Sequence, residues 1–262
     1  MKRIAIAAVA ALLCCGCGRE PLVILHVNDT HSHLEAARDD ARGGIIERGA
    51  IVDSVRAAHG AENVLLLHAG DFNQGSSYYT RFGGEAELAA FNAFGYDCLT
   101  LGNHEFDNGT EDLAARLARI NCPVVCANVD CSATALAPYV QPCAVLHKAG
   151  RTIGIIGAAP DLSTNISSSA RKGLVQLDLV QTVNDCSAKL APKCDLVILL
   201  SHLGYDEDQR LAPMLRGVDL IVGGHSHTFV DDFITVKDAD GKPVRIITDG
   251  CWGLNIGEIT IN

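Results

Sequence analysis

The chain has 262 residues, of which 48% are hydrophobic and 20% are charged. This length can bury a sizeable core, and the composition excludes a disordered chain and a fibrous repeat. Asp and Glu number 31 against 21 Lys and Arg, and the resulting net charge of −10 argues against broad binding to nucleic acid or to anionic lipid.

The N-terminal segment is typical of an export signal. Lys2 and Arg3 precede an apolar run over residues 4–13, which is far shorter than the roughly 20 residues that a membrane-spanning helix needs. We therefore predict that residues 1–16 form a signal peptide. No later run in the sequence is long and apolar enough to cross a bilayer, so we expect the protein in the bacterial periplasm or cell envelope.

Three cysteines follow this apolar run. The sequence Cys14-Cys15-Gly16-Cys17 resembles a bacterial lipoprotein cleavage site, in which a small residue precedes the cysteine that receives the lipid. Cys17 follows Gly16 and is the favoured lipidation site, whereas Cys15 has Leu12 at the expected distance and competes with it. A plain cleaved signal is the alternative. Contact with a membrane is therefore expected only through a lipid anchor.

Nine short apolar runs after this leader predict buried strands. They cover residues 22–27, 64–67, 98–101, 124–126, 153–156, 196–200, 220–222, 245–247 and 256–261. Helical patterns lie between several of them, at residues 51–58, 88–94 and 110–120. This alternation predicts a layered α/β fold with the sheet inside, in a single domain over residues 21–262.

The cysteines beyond the leader have two interpretations. Eleven cysteines are present in all, and eight of them follow the leader. Because an even number in an exported chain is compatible with disulfide bonds, structural disulfides are favoured over buried free thiols. Cys122, Cys126, Cys131 and Cys143 form the densest group and allow three pairings, among which the sequence does not choose. A zinc knuckle is less favoured because tight Cys-x2-Cys pairs are missing.

Polar residues of the kinds that bind metal ions follow five of the predicted strands. They are Asp29 and His31 after the first strand, Asp71 after the second, Asn103 after the third, His202 after the sixth, and His225 and His227 after the seventh. Ligands of open α/β sheets bind at the carboxyl ends of the strands. These seven side chains are therefore expected to meet at one edge of the fold.

The pattern of these donors favours two ions rather than one. Asp29 and His31 are separated by one residue, as are His225 and His227, and in an extended segment this spacing points both side chains to the same side. Seven oxygen and nitrogen donors are too many for one tetrahedral zinc but suit two ions that share a carboxylate. A bridged dinuclear centre is the leading hypothesis. Sharp turns beside the ions are expected at the neighbouring glycines, Gly70, Gly102, Gly223 and Gly224.

Five segments extend these donors into recognisable motifs. They are Asn28-Asp29-Thr30-His31, Gly70-Asp71-Phe72-Asn73-Gln74-Gly75, Gly102-Asn103-His104-Glu105-Phe106-Asp107, Ser201-His202 and Gly224-His225-Ser226-His227. In this order they resemble the calcineurin-like metallophosphoesterases, in particular the catalytic domain of 5′-nucleotidases and UDP-sugar hydrolases. The resemblance implies a four-layer α/β/β/α sandwich and an enzyme that hydrolyses phosphoric esters or anhydrides.

The resemblance also implies a role for each motif residue. One ion would be held by Asp29, His31, Asp71 and His227, and the other by Asp71, Asn103, His202 and His225. Asp71 would bridge the two ions. His104 and Asp107 match the catalytic pair, with His104 beside the phosphoryl group and Asp107 orienting and charging it. Neither member of this pair would be a metal ligand.

Local charge explains how an acidic protein can take an anionic substrate. Two divalent ions, Zn, Mn or similar, carry more positive charge than Asp29 and Asp71 carry negative charge, so they would attract a phosphate dianion. A hydroxide that bridges the ions would attack phosphorus, with no covalent enzyme intermediate. His104, as an imidazolium, would stabilise the developing charge or protonate the leaving oxygen.

The substrate stays open at the level of sequence. Full-length 5′-nucleotidases continue into a second domain that binds the nucleobase and the phosphate, whereas this sequence stops at Asn262, so we expect the specificity domain to be absent. A nucleotide or nucleotide sugar is favoured, and cyclic nucleotides, other phosphoesters and sulfur esters remain candidates. The alternative functions are a catalytic subunit that needs a separate substrate-binding domain, and a lipoprotein that binds metal or a partner without turnover. The intact pair of His104 and Asp107 argues against the second alternative.

Other aromatic and histidine side chains near the motifs are given no catalytic role. His26 and His68 lie within apolar runs and are predicted to be core residues. His33 continues the alternation from Asp29 and is kept outside the ligand set. Tyr78 and Tyr79 follow the second motif, where they would either line a substrate cleft or pack in the core.

Overall fold

The structure, a computed structural model, describes residues 19–37 and 42–262. The predicted signal peptide over residues 1–16 and the candidate lipidation sites Cys15 and Cys17 lie outside the described residues. None of the helices in the described part of the chain has the length and apolar character that crossing a membrane requires.

Strands and helices alternate along the described residues. The strands are β1 (Leu22–Val27), β2 (Val64–His68), β3 (Cys98–Thr100), β4 (Val124–Val125), β5 (Val129–Asp130), β6 (Val140–Gln141), β7 (Cys143–Lys148), β8 (Arg151–Ala158), β9 (Val175–Gln176), β10 (Leu196–Ser201), β11 (Leu220–Val222), β12 (Ile234–Lys237), β13 (Pro243–Ile247) and β14 (Gly257–Ile261). The helices are α1 (Ile45–His59), α2 (Ser77–Phe82), α3 (Glu85–Phe94), α4 (Thr110–Leu117), α5 (Leu162–Asn165), α6 (Leu179–Leu190) and α7 (Tyr205–Leu211). Short 3-10 turns lie at Ala61–Asn63, His104–Phe106 and Ala212–Met214.

Two six-stranded sheets form the centre of the fold. The first has the strand order β14-β1-β2-β3-β4-β6, and all of its pairings are parallel except that of β14 with β1. The second has the order β12-β13-β11-β10-β8-β7, with antiparallel strands β12 and β7 at its two edges. The parallel strands β13, β11, β10 and β8 lie between these edges. A separate antiparallel pair joins β5 and β9.

The sheets pack face to face and carry helices on their outer faces. Ile24 of β1 and Leu65 of β2 lie in one buried cluster with Ile155 of β8 and Ile198 of β10, so this core is shared by the two sheets. The opposite face of β1, with Val23, packs against residues from α1, α3 and α4. Residues from α6 and α7 cover the outer face of the second sheet. Strand alternation thus divides the hydrophobic residues among three layers of core, and the predicted α/β/β/α sandwich is confirmed.

The apolar runs located the central strands better than the edge strands. All nine predicted strands are confirmed, with ends that shift by a few residues. The helical patterns correspond to α1, α3 and α4. Strands β7 and β12 were not predicted because their residues alternate between less exposed and more exposed positions, as expected of edge strands.

The predicted disulfide bonds are wrong for the described cysteines. All eight of them, at positions 98, 122, 126, 131, 143, 186, 194 and 251, are free thiols. Several serve as small hydrophobic residues of the core, such as Cys98 between the sheets and Cys126 beneath the helices of the first sheet. Burial raises the pKa of the Cys122 thiol to about 12, so this side chain stays protonated at neutral pH.

The strand ends of both sheets supply the candidate donors. Asp29 and His31 follow β1, Asp71 follows β2, and Asn103 follows β3, all in the first sheet. In the second sheet, His202 directly follows β10, and His225 and His227 follow β11. The donors therefore come from both layers, and they meet where the parallel strands of the two sheets end.

Candidate metal centre

The structure brings the predicted donors within a few ångströms of one another. The Oδ1 atom of Asp29 lies 3.7 Å from His31 Nε2, 3.7 Å from His202 Nε2 and 3.4 Å from His227 Nε2. The Oδ2 atom of Asp71 lies 3.0 Å from His202 Nε2 and 3.8 Å from His31 Nε2. Residues that are far apart in the sequence thus present one compact set of oxygen and nitrogen atoms.

These atoms divide into two main groups. In each group the donor atoms lie within 4.8 Å of one another, and the groups are Asp29, His31 and His227, and Asp71, His202 and His225. A third group of the same kind, His31, Asp71 and His104, links them. His225 and His227 therefore belong to different groups, although one residue separates them. Asp71 belongs to the second main group and, through the third group, is also close to His31 of the first, as a bridging carboxylate requires.

Orphaned polar atoms show that this donor set fits cations. Asp29 Oδ1 and Asn103 Oδ1 are buried, and neither has a hydrogen-bond partner among the described residues. The Nε2 atoms of His31 and His227 lie only 3.0 Å apart. Buried acceptors without donors are costly, and inward-facing imidazole nitrogens beside carboxylates are the ligands that zinc and similar ions prefer.

Hydrogen bonds from outside the centre fix the orientation of the donors. His202 Nδ1 donates to the carbonyl oxygen of Ala69 at 2.6 Å, which leaves Nε2 facing the centre. The Oδ2 atom of Asp29 accepts from Asn28 Nδ2 at 2.6 Å and from the His225 backbone N–H at 2.8 Å. The Oδ1 atom of Asp29 is therefore left for a cation. Such supporting bonds set the tautomer and the basicity of metal ligands.

Most of the candidate ligands have left-handed backbone conformations. The positive φ angles are 48° at Asp29, 46° at His31, 53° at Asp71, 75° at His225 and 54° at His227. Such angles are uncommon outside glycine, although Asp and His adopt them more readily than most residues do, and they concentrate at functional sites. The expectation that extended segments point each pair of side chains to one side is wrong. Asp29 and His31 converge because the chain turns.

The glycines beside the donors act in two different ways. Gly70 has a φ of +86°, so the sharp turn predicted there is confirmed. Gly102 has no positive φ, and its role is close approach, because a Cβ atom there would overlap Asp71 Oδ1 and lie 2.6 Å from His202 Nε2. Among the four glycines expected to allow sharp turns, only Gly70 has a positive φ, whereas Gly223, Gly224 and Gly102 do not. The absence of a side chain leaves room for Asp71 and His202 to meet.

The charges of the centre are strongly coupled. Burial lowers the pKa of His202, but the carboxylates of Asp71 and Asp29 outweigh burial and raise that pKa to about 10. Burial raises the pKa of Asp71, but His202 and His31 hold it below its usual range. The carboxylates thus create a negative potential that favours any bound cation, and a metal ion would take the place of the His202 proton.

His104 and Asp107 form a pair at the rim of the centre. His104 Nδ1 lies 2.7 Å from Asp107 Oδ2, and this hydrogen bond raises the pKa of His104. The backbone N–H of His104 donates to Asp71 Oδ1, and its ring centroid lies 5.3 Å from that of His31. Both members of the pair are partly exposed. A partly exposed imidazole whose pKa is raised in this way, beside a candidate cation site, is suited to transfer a proton to a substrate.

Glu105 is a residue of the centre that the sequence analysis did not single out. Its carboxylate is fully buried and accepts backbone N–H groups from Asp71 at 2.8 Å, Phe72 at 3.0 Å, Asn73 at 3.1 Å and Gly102 at 2.7 Å. Burial raises its pKa to about 7, and the negative charge of Asp71 adds to this effect. Glu105 thus joins the loops after β2 and β3. Its place inside the third motif was the only signal in the sequence.

We expect Glu105→Gln to weaken both folding and metal binding. The amide would turn an N–H2 donor toward backbone N–H groups, and a buried polar group left unsatisfied costs about 1–3 kcal/mol. Loss of a group that supports metal ligands lowers metal affinity by about 10- to 100-fold. Urea-induced unfolding and metal titration measure the two effects. The control is Glu47→Gln, at an exposed position of α1. Unchanged stability and unchanged affinity in Glu105→Gln would contradict the role given to Glu105.

Comparison with protein families identifies the same motifs. The family model for calcineurin-like phosphoesterases matches residues 22–229 of this chain. The match begins at β1 and ends just after His227. It therefore contains all seven candidate donors and strands β1 to β11, and it ends before β12, β13 and β14.

Named relatives and solved structures agree with this family. The chain is 34% identical over 283 residues to the 5′-nucleotidase of Homo sapiens, which covers 97% of this chain and 48% of that protein. Its structure is similar to that of a 5′-nucleotidase precursor from Thermus thermophilus, with a TM-score of 0.85 and 34% identity over 92% of this chain and 51% of the other. The NAD nucleotidase of Haemophilus influenzae is similar with a TM-score of 0.82 and 31% identity, over 92% of this chain and 47% of the other.

The alignments cover a larger share of this chain than of its relatives. This chain spans about half the length of the relatives that it matches, whereas nearly all of its own length is covered. The family model alone covers more than half of the chain and contains every candidate donor. The chain therefore belongs to the calcineurin-like phosphoesterase family.

Proposed function

We propose that this chain is a hydrolase of phosphoric esters or anhydrides that depends on two divalent metal ions. The observation that carries the proposal is the presence of two adjacent groups of donors, one of which contains Asp71, with Asp71 also 3.8 Å from His31 of the other group. A single tetrahedral ion would use only about four of the seven donors. Two ions that share a carboxylate use them all, and this is the arrangement that many phosphoester hydrolases need.

The proposed ligands follow from the distances and the orphaned atoms. One ion would be held by Asp29, His31, His227 and Asp71, and the other by Asp71, Asn103, His202 and His225. Asp71 would be shared. The mixture of imidazole nitrogen, carboxylate and amide oxygen suits Zn, Mn or a similar ion.

The residues of the chain would then act on the substrate around these ions. When bound, the ions supply positive charge for the phosphoryl oxygens and Lewis acidity that activates water. His104 keeps Nε2 for the substrate, since Nδ1 is bonded to Asp107. We assign to His104 the donation of a hydrogen bond or a proton to the leaving oxygen. Asp107 raises the pKa of the imidazole and holds the ring in this orientation.

Nucleotides are the substrate class that the relatives support best. The relatives and structures that match most of this chain bear the names 5′-nucleotidase and NAD nucleotidase. We extend this class to the present chain, with nucleotide sugars as a second candidate. We further propose that the chain is exported to the periplasm or cell envelope and that lipid on Cys17 anchors it, as its N-terminal sequence suggests.

Metal content and metal dependence test this proposal directly. A form that lacks residues 1–17 is expected to bind about two equivalents of divalent metal, as a shared-carboxylate centre requires. Chelation should abolish hydrolysis, and addition of Zn or Mn should restore it. Metal analysis and rate measurements on the same samples check both statements. Hydrolysis that persists after complete removal of metal would refute the proposal.

A substrate panel separates the proposal from its alternatives. AMP, UDP-glucose, 2′,3′-cyclic AMP and a simple aryl phosphate sample the main phosphoester classes. Turnover of AMP by this chain alone would remove the need for a separate substrate-binding domain. Tight metal binding without turnover of any compound would favour the non-catalytic lipoprotein instead.

A further inference from the structure

An aromatic groove adjoins the metal centre on the side of His31. Its volume is about 350 Å³, and we name it the Trp252 groove. The side chains that matter for its chemistry are His33, Leu34, Glu35, Tyr78, Trp252 and Leu254. Pockets that bind organic ligands begin at roughly 300 Å³ and are lined mainly by apolar and aromatic groups, with few polar ones. The groove meets both conditions.

Trp252 is held in an exposed position by the loop that carries the first metal donors. Its backbone N–H donates to the carbonyl oxygen of Asp29 at 2.7 Å. Its φ is +61°, which is a rare conformation for a bulky residue. Despite this constraint, 44% of the residue is exposed. A tryptophan that only filled core volume would be buried, so the conformation serves to display the ring.

The ring contacts of Trp252 place it next to the candidate metal centre. Trp252 stacks on His33, with 5.1 Å between ring centroids and 23° between ring planes. His33 is itself fixed, because its Nδ1 donates to the carbonyl oxygen of His31 at 2.9 Å. The ring of Trp252 lies 6.5 Å from that of His227. Trp252 is thus linked to two members of the first donor group, to His227 directly and to His31 through His33.

Tyr78 and Glu35 add a second aromatic ring and a carboxylate to the lining of the groove. Tyr78 donates its hydroxyl hydrogen to Glu35 Oε1 at 2.7 Å. No hydrogen bond from the described residues occupies the other carboxylate oxygen of Glu35, which can then accept from a ligand N–H group. Planar rings with N–H groups on their edge fit such a site, since they can stack on Trp252 and donate to Glu35.

A second cavity beside the centre has a different character. It measures about 560 Å³ and contains His225, with Asp161, Asp206, Glu207 and Arg210 among its lining residues. Acidic groups outnumber basic ones there. Tyr205 also lines this cavity, but the Trp252 groove offers two aromatic rings, Tyr78 and the exposed Trp252, for stacking. The chemistry therefore favours the Trp252 groove for a planar ring.

We propose that the Trp252 groove binds the planar aromatic part of the leaving group, a nucleobase or an aryl ring, while the phosphoryl group lies at the metal centre. The proposal rests on the proposed function for the reaction itself. It adds a subsite within this chain that determines specificity. Trp252 supplies the stacking surface, and Glu35 supplies the acceptor.

Steady-state kinetics of the metal-loaded full chain test the subsite. The variants are Trp252→Gly, which tolerates the positive φ, and Trp252→Tyr, which keeps a ring. The substrates are AMP, an aryl phosphate and glycerol phosphate, which has no ring. For Trp252→Gly we expect KM for the two aromatic substrates to rise by about 5- to 100-fold, the range for loss of one base–aromatic stack, and kcat/KM for glycerol phosphate to stay unchanged. Trp252→Tyr should retain most of the affinity.

Two further variants control the experiment. Tyr139→Ala removes an exposed aromatic residue outside both cavities and should leave all three substrates unaffected. Tyr205→Ala removes an aromatic residue from the second cavity. Selective loss of aromatic substrates in Tyr205→Ala but not in Trp252→Gly would overturn the proposal. Equal losses for glycerol phosphate and AMP in Trp252→Gly would also overturn it, because Trp252 would then only support the donor loop.

Fluorescence distinguishes failure of the subsite from failure of the proposed function. Trp252 is the single tryptophan of the chain, so its emission reports on this groove alone. Saturable quenching by adenosine, with none by ribose 5-phosphate, is the expected result. If no phosphoester is hydrolysed but adenosine still quenches, the subsite stands and the proposed function fails. If AMP is hydrolysed but neither AMP nor adenosine quenches the emission, the subsite fails and the proposed function stands.

Discussion

Replacing Asp71 with Asn is expected to remove bound metal and to lower the rate of phosphoester hydrolysis by more than about 10³-fold. Loss of a single preorganised hydrogen-bond donor already costs about 10²- to 10³-fold in comparable sites. Asp71 contributes to both groups of donors, because its Oδ2 lies 3.0 Å from His202 Nε2 and 3.8 Å from His31 Nε2. A neutral amide cannot bridge two cations with comparable strength, so both ions should be affected.

Metal analysis and single-turnover rates of the Asp71→Asn variant measure this expectation. Asn has nearly the same shape as Asp, and its Oδ1 can still accept the backbone N–H of His104. The fold should therefore survive, and circular dichroism checks that it does. Asp53→Asn, at an exposed position of α1, is the matched control for the loss of one negative charge. Two equivalents of tightly bound metal in Asp71→Asn would show that Asp71 is not the bridge.

Replacing His104 with Ala should separate catalysis from metal binding. We expect the rate to fall by about 10²- to 10⁴-fold, the usual contribution of a positioned acid or base, while the metal content stays at its original value. His104 lies at the rim, and its side chain is bonded to Asp107 rather than to an orphaned acceptor. His59→Ala, at the exposed end of α1, is the control. Loss of metal together with rate in His104→Ala would make His104 a ligand instead.

The leaving group and the pH dependence reveal what His104 does. If it protonates the leaving oxygen, an aryl phosphate with a good leaving group should lose less rate in His104→Ala than glycerol phosphate does.

The bond to Asp107 raises the pKa of His104, so Asp107→Asn should lower that pKa. An acid is active while protonated, and the alkaline decline of kcat should therefore begin at lower pH in Asp107→Asn. Unmoved pH profiles would contradict this role.

The central strands and the positions of the candidate donors could be predicted from sequence for simple physical reasons. Parallel strands buried on both faces require continuous apolar runs, and such runs mark β1, β2, β8, β10 and β11. Metal sites at strand ends require Asp, His or Asn directly after those runs. Both signals are local, so they survive without knowledge of the fold.

The remaining features depend on contacts that the sequence does not display. Glu105 receives its N–H groups from two loops, and only the fold brings those loops together. Trp252 is separated from Asp29 by more than two hundred residues, yet its N–H donates to that residue. The free cysteines were misjudged because their number says nothing about which core each thiol enters. The left-handed φ angles at Asp29, His31 and Asp71 belong to the turns after β1 and β2, which the apolar runs do not reveal.

The division of the donors between two sheets has a mechanical consequence. Asp29, His31 and Asp71 extend from one layer, whereas His202 and His225 extend from the other. Any ion held by both sets cross-links the layers at one end of the sandwich. Because such an ion binds only the folded arrangement, it raises the free energy of unfolding of the whole domain. We therefore expect a bound metal ion to hold the two layers together, and withdrawal of that ion to loosen the sandwich at this end.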